Sequence, residues 1–257
     1  MTTLDTRLEA VRSKRKALVP YFVAGLDDTW LDCVRAAAFA GADAIEIGIP
    51  FSDPIMDGAI IQDAALQSLN RGTTLTGVLD QLSTLEVDVP LIAMTYFNIF
   101  HHHGLERSAS DLASAGVQGV IVPDVPLEEL PEWQAIANHH DVATVLMVAP
   151  STPTARVEKI CTHTQGFVYA AARMAVTGVT EDSGRGSEVV AAIREFATTP
   201  VYVGIGISTP EQARVASEYG DGVIVGSALV QKLLNGEGTH GVETFIASLR
   251  EAIDSPR

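Results

Sequence analysis

A chain of 257 residues that is 47% hydrophobic can bury a large core, and about 250 residues is the usual length of one (β/α)8 domain. Its 17 Lys and Arg against 32 Asp and Glu leave a formal charge of −15, which argues against nucleic acid and anionic membranes as partners, since their phosphates would be repelled. Any phosphorylated small molecule must then be held by local amide dipoles, because there is no general positive field.

Thr2 to Lys16 reads as a polar amphipathic helix whose basic end, Arg12-Ser13-Lys14-Arg15-Lys16, is a solvated patch. The N-terminus has no apolar leader-like core, and no apolar run approaches the roughly 18 residues of a membrane span. A cytoplasmic protein is therefore expected. Cys33 and Cys161 fall in helix-like contexts and read as ordinary thiols of a reducing compartment.

Short apolar runs follow, beginning near Leu18, Ala44, Pro90, Gly119, Val142, Phe167, Val201 and Gly222. Between them lie stretches with helical apolar spacing, such as Trp30 to Ala40, Leu75 to Leu85, Leu127 to Ala137, Pro153 to Cys161, Glu188 to Phe196 and Pro210 to Tyr219. Strands that alternate with single helices pair in parallel through crossovers. No G-x-G-x-x-G fingerprint follows the first run, where the sequence is Ala24-Gly25-Leu26-Asp27. No linker or shift in composition divides the chain. The expected fold is α/β, a single (β/α)8 TIM barrel over residues 1–257, with an extra N-terminal helix and elaborated loops after strands 2 and 6.

The second run carries the first chemical signal. Ile45-Glu46-Ile47-Gly48-Ile49-Pro50-Phe51-Ser52-Asp53-Pro54-Ile55-Met56-Asp57-Gly58 sets one carboxylate inside a β-branched strand and two more on the loop that follows. A strand buried on both faces should be uninterrupted Val, Ile and Leu. An under-hydrogen-bonded buried carboxyl costs roughly 1–3 kcal/mol, and an unpaired charge costs more. Two readings stand: a buried Glu46 satisfied by neighbouring amides, or an acid/base at a strand's C-terminal end with Asp57 as its partner.

Two glycine turns give the second signal. Val203-Gly204-Ile205-Gly206-Ile207-Ser208 ends strand 7, and Ile224-Val225-Gly226-Ser227-Ala228 ends strand 8. In barrels of this class these two loops commonly bind phosphate, because glycine lets the backbone approach and helix N-termini present unpaired N–H groups. After strand 6, Ala171 to Ser187 contains Thr177-Gly178-Val179 and Ser183-Gly184-Arg185-Gly186, a glycine-rich polar segment expected to form a mobile lid.

Glu46-Ile47-Gly48-Ile49-Pro50-Phe51-Ser52-Asp53-Pro54 with Asp57-Gly58, Tyr96-Phe97-Asn98, Pro123-Asp124-Val125-Pro126, Tyr169, Val176-Thr177-Gly178, Gly206-Ile207-Ser208-Thr209-Pro210-Glu211-Gln212-Ala213 and Gly226-Ser227 together resemble the tryptophan synthase α-subunit family, over nearly the whole chain. The resemblance implies retro-aldol cleavage of indole-3-glycerol phosphate to indole and glyceraldehyde 3-phosphate. The indole would pass to a β subunit carrying pyridoxal phosphate, in an α2β2 complex, with no cofactor in this chain. It places the catalytic roles on Glu46 (acid/base) and Asp57 (acceptor of the indole N–H). Tyr21, Met94, Tyr96, Ile121 and Pro123 would line the indole slot, Tyr169 would position Glu46 or the glycerol moiety, and Thr177 would hydrogen-bond Asp57 on lid closure. Gly178, Gly206, Gly226 and Ser227 would hold the phosphate. Pro50 and Asp53, with Phe51 and Pro54, would face the partner.

Some positions depart from the commoner family pattern: Ile205 for Phe, Ala175 for Gly, Val23 for Thr, Leu26-Asp27 for Asp-Pro, and Ala59 for Pro. None removes a charge assigned to chemistry; Ala175 would stiffen the lid and Ala59 would loosen the strand-2 loop. His101-His102-His103, expected in a loop, cannot all point at one ion, and an indolenine electron sink needs no Lewis acid, so no metal is expected in the chemistry. No strand ends in a Lys suited to a Schiff base. Trp30 and Trp133 read as core. The alternatives are a lyase that needs no partner, a silent barrel that only activates one, and a sugar-phosphate isomerase on the same fold.

Overall fold

The computed structural model describes residues 1–171, 183–204 and 206–255. In chain order the elements are α1 (Thr3–Arg12), β1 (Ala17–Val23), α2 (Trp30–Phe39), β2 (Ile45–Gly48), α3 (Ala59–Asn70), α4 (Leu75–Leu82), β3 (Leu91–Met94), α5 (Phe97–His103), α6 (Leu105–Ser114) and β4 (Val117–Ile121). They continue with α7 (Leu130–His139), β5 (Ala143–Val148), α8 (Thr154–His163), β6 (Val168–Ala171), α9 (Ser183–Arg194), β7 (Val201–Gly204), α10 (Pro210–Tyr219), β8 (Gly222–Val225), α11 (Ser227–Leu234) and α12 (Gly238–Asp254). The strands form a closed parallel barrel in sequence order, shut where Ala17 to Pro20 of β1 pair with Gly222 to Val225 of β8. Each strand begins within two residues of the position expected from its apolar run.

The period of two along a strand sorts its side chains into two cores. Ile45 and Ile47 of β2 join Phe22, Trp30, Val34, Ala64 and Trp133 in the layer between barrel and helices. Val19, Ala44, Ile92, Ile121, Val145, Phe167, Tyr202 and Ile224 fill the interior. Glu46, one residue from Ile45 and Ile47, therefore faces the interior, in register with Tyr21 of β1 and Ile92 of β3. Glycines make room for the tyrosines there: a Cβ on Gly48 would stand 1.9 Å from the Tyr21 hydroxyl oxygen, and one on Gly204 would stand 2.3 Å from that of Tyr169.

The floor of the barrel is closed by α1. Leu4 and Leu8 are fully buried among the interior residues, and Leu4 fills the space above Gly119 and Gly166, where a Cβ would come within 2.7 Å of it. A capping box between Thr2 and Asp5 fixes the helix start. The basic stretch at the end of α1 is solvated at Ser13, Lys14 and Arg15, as expected, but three of its cations also find partners. Arg15 lies 2.7 Å from the buried Asp43, Lys16 donates to the Gly220 carbonyl, and Arg12 is 3.9 Å from Asp221. Arg12 and Arg15 meet carboxylates at distant strand starts while their side chains stay partly in solvent.

Two further expectations change. Ser183-Gly184-Arg185-Gly186, read as lid, opens helix α9. Each interior glycine disfavours a helix by about 1 kcal/mol, but Val189, Val190 and Ile193 on the same helix are buried in the outer core, and such packing outweighs propensity. His101 to His103 end helix α5 and are not in a loop. Three successive helical side chains fan over about 200°, so all three still cannot converge on one ion; His103 instead meets Asp111 at 2.8 Å. Trp30 and Trp133 are core, and both cysteines are buried and free.

Candidate active site

Glu46 sits in the mouth of the barrel with 1% of its surface exposed. Among the described residues its Oε2 has no hydrogen-bond partner. Burial, and then the nearby charge of Asp57, push its carboxyl from 4.5 to about 8. Of the two readings open at the sequence, the unpartnered Oε2 favours the acid/base over the amide-satisfied glutamate. The arrangement is an acid with a free oxygen, protonated at neutral pH and poised near the operating range of a general acid/base.

Asp57 arrives from the loop after β2, which is braced by aromatic packing. Phe51 stacks on Tyr96 with ring centroids 5.1 Å apart. The Tyr96 hydroxyl accepts the Met56 N–H at 2.9 Å and donates to Asp57 Oδ2 at 3.2 Å. One tyrosine therefore fixes both the loop backbone and the carboxylate, leaving the other Asp57 oxygen for a donor. Burial raises Asp57 above its ordinary value and the Tyr96 bond moderates the rise. Tyr96 itself is pushed up to about 12, first by burial. Tyr21 and Tyr169 are held well above the usual phenol value by burial and by the charges of Asp57 and Glu46, so both remain neutral donors beside the two acids.

A narrow, nearly closed cleft with a cavity volume of about 10 Å3, room for about one water, lies beside this group. Tyr21, Val23, Ile49, Pro50, Phe51, Asp57, Ile61, Ala65, Met94, Thr95 and Tyr96 line it, which makes it apolar with one carboxylate at the rim. A larger and more open hollow lies outside, between Gly25 and Gln81, with Arg71 and Asp28 paired across it. Its size does not mark it as the site, since no buried, unpartnered group lines it.

Several expected residues converge: Glu46, Asp57, Tyr21 and Tyr169 interact electrostatically, and Met94 and Tyr96 line the cleft. Ile121 is in the barrel interior, paired with Met94 in register, but neither it nor Pro123 lines the cleft. Pro50, expected on a partner-facing patch, is buried and lines the cleft instead, because the chain turns inward before the loop leaves the barrel. Asp53 is exposed as expected. Thr177, Gly178, Ala175 and Ile205 lie outside the described residues. Thr95, which was not singled out from sequence, is buried and donates to the Ile49 carbonyl at 3.0 Å, tying β3 to the start of the loop.

The two glycine turns also reach the mouth. Gly206 takes φ +88°, a conformation side chains resist. The Gln212 side chain accepts from the backbone N–H groups of Ser208 and Thr209 and from the Ser208 hydroxyl, fixing that turn. Gly226 caps α11 without any side-chain acceptor, and Ser227 beside it is exposed. The Gly226 Cα hydrogen side faces the Tyr21 ring, at the 3.7–3.9 Å of ordinary contact for a Cβ built there. Unpaired first-turn amides next to Tyr21 suit an anion.

Comparison with known proteins gives the family and the fold. A family model described as "Tryptophan synthase alpha chain" matches residues 8–253. Similar curated proteins of that name include one from Picosynechococcus sp., 40% identical over 98% of this chain and 100% of its own, and one from Geobacter sulfurreducens, 41% identical over 96% and 97%. Among solved structures, tryptophan synthase from Mycobacterium tuberculosis superposes with a TM-score of 0.91 at 32% identity, covering 99% of both chains. Subunit alpha from Legionella pneumophila gives 0.89 at 28% identity, again covering 99% of both. The chain belongs to the tryptophan synthase alpha chain family.

Proposed function

We propose that residues 1–257 act as one barrel domain that cleaves indole-3-glycerol phosphate to indole and glyceraldehyde 3-phosphate. Glu46 serves as acid and then base. Neutral Glu46 gives its proton to indole C3, and the ring nitrogen takes up the positive charge beside Asp57. The carboxylate left on Glu46 then removes the proton of the glycerol hydroxyl as its C–O bond becomes a carbonyl and the carbon–carbon bond breaks. Glu46 ends protonated, so the cycle closes without a net proton and asks no cofactor of this chain.

The observation that supports this most is the buried, unpartnered Glu46 carboxyl with its raised proton affinity. Tyr21, Met94 and Tyr96 shape the slot for the flat ring, and Tyr169 lies close enough to the acid to feel its charge. The amides at Gly206, Gly226 and Ser227 are suited to the phosphate, with Gly178 as the fourth contributor and Thr177 as the residue that meets Asp57 when the lid closes. The released indole goes to a β subunit holding pyridoxal phosphate, in an α2β2 assembly in the cytoplasm. Asp53 faces that partner, beside Ile55 and Met56, which are 80% and 60% exposed. Among the described residues no helix is long and apolar enough to cross a membrane.

Glu46→Gln keeps the shape and removes the transferable proton. Cleavage should fall by roughly 10²–10⁴-fold, while an indole-propanol phosphate analogue still binds. Retained cleavage would refute the assignment.

A further inference from the structure

Away from the mouth, Glu106 on α6 and His139 and His140 at the end of α7 bring three ligand-competent atoms within 4.8 Å of one another. His140 Nε2 is 2.8 Å from Glu106 Oε1, and the two imidazole rings meet edge to face with centroids 5.1 Å apart. Two imidazoles and a carboxylate are a donor set taken by zinc and its first-row neighbours, with positions left over for water. Bond lengths near 2.0–2.2 Å put tetrahedral ligand atoms about 3.3 Å apart. Glu106 and His139 are exposed, so their side chains have room to turn toward that spacing.

The backbone here also favours a cation. His139 is the last residue of α7 and His140 its C-cap, at the negative end of the helix dipole, while the Ala137 and Asn138 carbonyls already accept from the backbone N–H groups of the turn. The neighbouring cation, Arg107, is paired with Asp111 at 3.5 Å. We propose that Glu106, His139 and His140 form an exposed site for a divalent transition ion of the zinc class, which ties α6 to the turn between α7 and β5. The site is separate from the cleavage chemistry and acts on stability. The next residue, Asp141, has a φ of +58° and accepts from the Thr3 backbone and hydroxyl, so the ion sits beside the clamp that holds α1 in the barrel floor.

The test uses the whole chain, purified without a histidine tag and stripped with chelator, titrated with Zn2+ by calorimetry and followed by thermal melting. One Zn2+ should bind per chain, and the melting midpoint should rise with its concentration, because the ion binds only the folded form. His139→Ala with His140→Ala should remove both effects, and Glu106→Gln should weaken binding by about tenfold or more. His101→Ala with His102→Ala on α5 should change neither. Bound Co2+ should show visible d–d bands that the His139/His140 double variant lacks. Absence of Zn2+ binding by the wild-type chain, unchanged affinity in the His139/His140 variant, or loss of binding in the His101/His102 variant would each overturn the proposal.

Discussion

Asp43 and Glu46 are three residues apart on one segment, both are buried, and they live in opposite surroundings. Asp43, at the barrel floor, accepts from the Leu18 N–H at 2.9 Å and lies 2.7 Å from Arg15 and 3.0 Å from Arg250. Asp221 repeats the pattern before β8, accepting from the Val201 N–H with Arg194 at 3.0 Å. Burial pushes Asp221 up, but the hydrogen bonds from Arg194 and Val201 and the charges of Arg194 and Arg12 outweigh it and leave the carboxyl below its usual value. At the mouth, Glu46 meets a second acid and no cation among the described residues, and its proton affinity rises. The floor uses carboxylates to pin strand starts; the mouth keeps one unsatisfied, where a substrate can satisfy it. Barrels of this kind divide stability and chemistry between their two faces in this way.

The contrast predicts opposite signs. Asp43→Ala leaves Arg250 with Asp254 as its remaining partner but strips the buried Leu18 N–H and one guanidinium N–H of their acceptor, and should destabilise the fold by about 1–3 kcal/mol in urea unfolding, with little change in turnover per folded molecule. For Glu46 the proton sets the sign. Its folded value of about 8 lies above the ordinary 4.5, so its contribution to stability is full below pH 4.5 and is lost as pH rises through 8. Glu46→Gln should therefore flatten the pH dependence and stabilise the protein at pH 9, by roughly a few kcal/mol less the requirement of a buried amide for partners. A Glu46→Gln protein less stable than wild type at pH 9 would break the comparison.

Smaller effects sharpen it. Tyr96→Phe removes the hydroxyl that holds both Asp57 and the Met56 amide, and should lower kcat by about tenfold with less than about 1.5 kcal/mol of destabilisation. A loss confined to stability would make Tyr96 a packing residue only. Asp53→Ala, on the exposed loop, should weaken stimulation by the β subunit more than it weakens binding of the phosphate analogue; equal losses would contradict a partner-facing role.

The strands were legible because β-branched runs and punctuating Gly and Pro are local signals, and Glu46 was legible because it breaks such a run. The floor was not. Asp43 and Arg250 are 207 positions apart, and nothing near either residue announces the pairing. Pro50 was misplaced for a related reason: the motif around it showed a stiff loop but not where the chain leaves the barrel wall. The helical start of α9 and the helix through His101 to His103 escaped because glycine and histidine runs mimic loops, while the packing that decides them comes from other elements. At the site, the tyrosines stood out only through the resemblance; that Tyr21 rests on Gly48 and Tyr169 on Gly204 is a fact of register between neighbouring strands.

The most direct test is a titration of the Glu46 side chain itself, by carboxyl 13C NMR with the signal assigned through Glu46→Gln. An inflection near pH 8 is expected. An inflection in the ordinary range of about 4–5 would mean that the group is solvated or paired, and the proton transfer built on it would fail.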